Sequence, residues 1–123
     1  MEPNAPHNVI MLLDKVDPVY ITEARNAIVR YNRENYKNQT IEVVKDALDA
    51  NRTILIFTNF TDGDAALQYY LKLKKAAAIE IGWLPVNKYS FLIITNKNLQ
   101  LLKNNKDVNG YRDLLNKQYS NQF

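Results

Sequence analysis

Short, unbroken apolar runs alternate along this chain with longer stretches whose apolar residues recur every three or four positions. The first run, "HNVIMLLD" (7–14), has the length of a strand, and its continuity predicts at least partial cover on both faces. From residue 17 the period changes. Asp17 suits an N-cap and Pro18 a first helical position. Ile21, Ala24, Ile28 and Tyr31 then fall at helical spacing, with Arg25, Arg30 and Arg33 pointing elsewhere. That is an amphipathic helix of about four turns. It runs into "YNRENY" (31–36), which has the composition of a helix end. Tyr31 closes the core stripe, Asn32 and Asn35 suit the left-handed conformation of a terminator, and Tyr36 folds back over the end. No ligand is needed to account for this stretch.

"QTIEVVKDALDANRTILIFTNF" reads as a hairpin, with strands near 41–48 and 53–59 around the turn formers Asp49, Ala50 and Asn51. "TDGDAALQYYLKLKKAAAIEI" is a second helix. Thr61 or Asp62 caps it, and Asp64 sits in the first turn, where the helix dipole favours a carboxylate. Ala66, Tyr69 or Tyr70, Leu73 and Ala77 form its apolar stripe, and it must stop before Gly82-Trp83-Leu84-Pro85. "KYSFLIITN" (88–96) is a fourth strand. Leu99, Leu101 and Leu102 begin a short helical turn, and Tyr111, Leu114, Leu115 and Tyr119 make a terminal amphipathic helix.

The order β-α-β-β-α-β, then α, is the ferredoxin-like pattern of an α+β domain: a four-stranded antiparallel sheet, two helices on one face and an extra C-terminal helix. Residues 7–119 form this single domain, 1–6 a disordered or linker start, and 120–123 a tail. Two helices leave one sheet face bare. Phe91 and Ile93 oppose Leu92 and Ile94, and Leu55 and Phe57 oppose Ile54 and Ile56, so that face too is apolar. Such a face is rare on a lone monomer. Either the C-terminal segment folds across it or another chain does, a homodimer through the open face included.

At 123 residues, with 46% apolar and 24% charged side chains, the chain can bury a core without staples. It has no cysteine, which removes disulfides, thiolate metal sites and cysteine nucleophiles. No apolar run approaches the roughly 18 residues of a membrane span, and the polar opening "MEPNAPHN" lacks the features of a signal peptide. Charge is uneven: residues 1–65 hold 7 basic and 10 acidic side chains, residues 66–123 hold 9 and 3. The resulting +6 is small for nucleic-acid binding. The only histidine, His7, cannot build a histidine-rich metal site or a serine triad, and the 3 glycines form no phosphate-cradling loop. Asp62 and Asp64 are the one tight carboxylate pair, and capping accounts for them. The expectation is a chain with no catalytic residues, no metal and no cofactor.

The segments "PHNVIMLLDK", "ITEARNAIVRYNRENY", "ILIFTNFTDGDAALQYYLKLK" and "YSFLIITNKNLQLLKNNKDVNGYRDLLNKQY" follow one another in an order that resembles the C-terminal domain of tetratricopeptide-repeat lipoproteins of Bacteroidota, associated with gliding motility and type IX secretion. The resemblance spans about His7 to Tyr119, although 123 residues cannot also hold the repeats. It implies a non-enzymatic interaction module in a periplasmic, outer-membrane-associated protein, with protein partners in a secretion or motility assembly. The contact residues expected are Lys72, Lys74 and Lys75 on the second helix and Trp83 and Leu84 in the turn after it. At the level of fold alone, peptidoglycan-binding SPOR domains are similar, which offers glycan strands on the sheet as the alternative ligand.

Overall fold

The computed structural model describes residues 2–123, and Met1 lies outside them. Strands β1 (His7–Asp14), β2 (Glu42–Ala47), β3 (Arg52–Phe60) and β4 (Tyr89–Thr95) form one antiparallel sheet in the order β2-β3-β1-β4. Helix α1 (Pro18–Asn35) links β1 to β2, and α2 (Gly63–Glu80) links β3 to β4 by way of a single 3₁₀ turn at Val86–Lys88. Helices α3 (Asn96–Asn105) and α4 (Val108–Gln118) follow. The chain is therefore α+β, with the expected four-stranded sheet and βαββαβ order, and it carries two C-terminal helices where the sequence indicated a turn and one helix.

Register assigns the two faces. Val9 lies across from both Phe57 and Ile93, and Phe57 across from Val43, so these four share a face. The Phe57 ring meets Tyr69 of α2 at 6.2 Å, and Arg25 of α1 donates to the Val43 carbonyl. That face belongs to α1 and α2. Tyr20 touches Trp83 beyond the end of α2, and Asn32 of α1 bonds to Tyr69 nearer the start of α2. The two helices are therefore antiparallel. Asp62 caps α2 by accepting from the Ala65 amide, as its position required.

Asn8 and Asp46 point to the other face, and both are tied to α3. Asn8 donates to Asn96 at 2.7 Å, and Lys103 pairs with Asp46. The helix thus crosses the sheet from the β4–β1 side to β2. Thr95 caps it by accepting from the Asn98 amide, and Leu99 and Leu102 are buried beneath it. The C-terminal segment does fold across the second face. The open face expected to carry a homodimer or a glycan strand is accordingly absent, because α3 fills it with the chain's own leucines. Helix α4 follows β4: Tyr111 donates to the Ile93 carbonyl and Arg112 to Ser90.

Residues 2–6 and 120–123, set apart in the sequence as a linker start and a tail, are fastened to this body. The Pro3 carbonyl accepts from Gly63 at 2.8 Å, the Gln122 carbonyl accepts from the Tyr70 hydroxyl at 2.7 Å, and Phe123 stacks on Tyr70. Gly63 permits this closeness, since a Cβ there would lie 2.5 Å from the Tyr119 hydroxyl.

Candidate functional site

The ionisable groups with defined partners are engaged in holding the fold. The ring of His7 is fully buried, with Nδ1 2.7 Å from the Ala5 carbonyl. Asp49 organises the β2–β3 turn, accepting from the Asn51 and Arg52 amides and from the Arg52 side chain, which holds its carboxyl below the usual range. The hydrogen bond from Lys103 does the same for Asp46. A cavity of about 490 Å³ gathers Arg52, Lys88, Lys106 and Arg112 beside Asp14 and Asp107. Three of its cations are occupied structurally: Arg52 by Asp49, Lys106 by the Leu48 and Lys103 carbonyls, Arg112 by Asn109 and Ser90. Among the described residues, no three histidine or carboxylate side chains group closely enough to hold a metal ion.

"YNRENY" has a different role from the one its composition suggests. Helix α1 runs through Asn32 to Asn35, and Tyr36 caps it without entering the left-handed region. Asn32 is no terminator. It is 6% exposed and accepts a 2.6 Å hydrogen bond from the Tyr69 hydroxyl of α2. Tyr36 does fold back: its ring lies 6.1 Å from Tyr31 and 5.2 Å from Tyr69, and Tyr69 in turn meets Phe60 at 4.8 Å. Burial, reinforced by neighbouring Tyr31, pushes the Tyr36 hydroxyl up to about 12. Burial also raises Tyr69, against a smaller lowering by its bond to Asn32. The stretch is a polar pin under aromatic cover between α1 and α2. Sequence periodicity could not show it, because the partner lies 37 positions away.

The residues expected to make contacts separate. Lys72 and Lys75 are exposed on the outward side of α2, while Lys74 leans over the Tyr70 ring at 5.8 Å. Trp83 is 49% exposed. Leu84 is corrected to a core residue: at 6% exposure it packs inward and offers no surface to a partner. The sequence missed Tyr20, 50% exposed, whose ring sits 5.9 Å from Trp83 at a tilt of 45°. Val19 beside it is 61% exposed, and Ile79 in the last turn of α2 is 83% exposed. Both are off-stripe apolar residues, and that was the signal in the sequence that would have found them.

Scattered exposed apolar residues are ordinary, but here two exposed aromatics touch, with Val19 next to Tyr20 in sequence and Ile79 four residues before Trp83. These four residues span the start of α1 and the end of α2, two elements brought together by their antiparallel packing. Leu101 and Leu114 are also exposed, but they line a groove between α3 and α4 that they share with Asn98, Asn105 and Tyr111. No helix among the described residues is long and apolar enough to cross a membrane. No family model, curated protein or solved structure matches the chain.

Proposed function

We propose that this chain is a non-enzymatic protein-docking domain whose contact surface is the apolar patch of Val19, Tyr20, Ile79 and Trp83, flanked by Lys72 and Lys75. One observation carries the reading: the Tyr20 and Trp83 rings meet while each stays about half in water. Aromatics of this kind bury a large area at small entropic cost when a partner covers them, which is why they dominate the centres of interfaces. The lysines outside the patch suit the polar rim of such an interface. The setting within the proposal is a periplasmic secretion or gliding-motility assembly, on the strength of the sequence resemblance to terminal domains of repeat lipoproteins. A glycan-binding role has less support, since the sheet face it would use is occupied by α3.

Capture from an extract of the source cell, comparing the natural chain with an Ile79→Ser, Trp83→Ser variant, tests the reading. A protein retained by the first and lost by the second, with both folded, is the expected result. Equal retention by both, or by neither, sinks it. Charge reversal at Lys72 and Lys75 should weaken capture less than loss of the aromatic.

A further inference from the structure

Two hydrogen-bond donors at Tyr20 and Trp83 are not used by the fold. Among the described residues, neither the Tyr20 hydroxyl nor the Trp83 indole N–H has a hydrogen-bond partner. The indole can only donate, and the hydroxyl donates as readily as it accepts. Both rings are fixed from behind. Tyr20, the third residue of α1, precedes the buried Ile21. Trp83 stands between the buried Ile81 and Leu84, in a turn closed by a hydrogen bond from the Leu84 amide to the Ile81 carbonyl. The rings touch at 5.9 Å with their planes 45° apart, and each is about half in water. Together they present an apolar ledge with donors attached.

We propose, resting on the docking reading above, that the partner presents a proline-rich segment in the polyproline II conformation. A proline ring lies against Tyr20 and Trp83, and backbone carbonyls beside it accept from the two donors. Backbone chemistry selects this class of partner. A helix uses most of its carbonyls internally, and an added strand needs a free sheet edge. The edge strands here are β2 and β4, whereas Tyr20 belongs to α1 and Trp83 to the turn after α2. A polyproline II chain forms no internal hydrogen bonds and leaves its carbonyls open. Its φ angles are already set by the proline rings, so little freedom is lost when it docks on aromatic side chains. Exposed rings and unused donors supply both halves of such a site.

Trp83 is the chain's only tryptophan, so its fluorescence reads the site directly. The test titrates the protein with a capped peptide of six prolines between glycines. One control replaces the prolines by alanines, and another is a capped helical peptide with a leucine stripe. A saturable change with the proline peptide is expected, with binding about tenfold weaker for each control and for Tyr20→Ser. Tyr20→Phe keeps the ring and removes only the hydroxyl, and it should weaken binding severalfold. No saturable binding of the proline peptide, equal or tighter binding of either control, or undiminished binding by Tyr20→Ser overturns the proposal. At saturation the proline peptide should also displace the protein captured from the cell extract. Capture that persists beside bound peptide overturns the proline proposal and leaves the docking reading in place. Capture that is insensitive to Ile79→Ser, Trp83→Ser removes both.

Discussion

The two ends of the α1–α2 pair use aromatic residues in opposite ways. Where α1 ends, Tyr36, Tyr69 and Phe60 close over one another and the Tyr69 hydroxyl is pinned by Asn32. Where α1 begins, Tyr20 and Trp83 touch but remain in water. The same helices, packed against the same sheet, could bury either end. That only one is buried separates two demands. An aromatic that fixes the fold surrounds itself with the chain's own side chains, as Tyr69 does, with its hydroxyl bonded to Asn32. An aromatic that serves association is left for a partner to cover.

Replacing Tyr69 by alanine should break the closed end most severely. It removes the ring shared by Phe57, Phe60 and Tyr36, and denaturant unfolding should show a loss of roughly 3–5 kcal/mol. Asn32→Ala comes next. It strands the Tyr69 hydroxyl in the interior, at about 1–3 kcal/mol by the same measurement, and adding Tyr69→Phe should recover part of that loss. A smaller effect follows from the raised Tyr36 hydroxyl. Folding favours its neutral form, so its contribution is fully present below the ordinary tyrosine value of 10 and is lost as pH rises towards about 12. Alkaline unfolding should start at lower pH in the natural chain than in Tyr36→Phe. At the open end, Trp83→Ser should move stability least, within roughly 0.5 kcal/mol, while abolishing capture. A stability loss as large as that of Asn32→Ala would erase the contrast.

The sequence carried the elements of this fold because they are local. Period, caps and breakers placed α1, α2 and the four strands, and the unbroken "NVIMLL" announced that β1 would be covered on both sides. Three features were harder to read, each for a physical reason. Asn32 sits at a position where asparagine ordinarily stops a helix, and its role depends on a tyrosine from another helix. Cover of the second face by the C-terminal segment was one of two alternatives, and α3 was underestimated, because a ten-residue helix presents only Leu99 and Leu102 to the sheet; the capping Thr95 was its clearest local mark. Leu84 was grouped with Trp83 because they are neighbours in a turn, but a turn sends adjacent side chains in different directions. Of the proposed contact surface, Trp83 and the lysines were legible. Tyr20 was not, because its contact with Trp83 exists only once the helices pack antiparallel.

Footprinting the natural chain alone and in its captured complex, with a label that reports solvent access residue by residue, tests the docking account most directly. Protection of Trp83, Tyr20 and Ile79, with Tyr69 and Tyr36 unchanged, is the result predicted. Unaltered labelling of Trp83 and Tyr20 in a complex that protects Leu101 and Leu114 instead would contradict it.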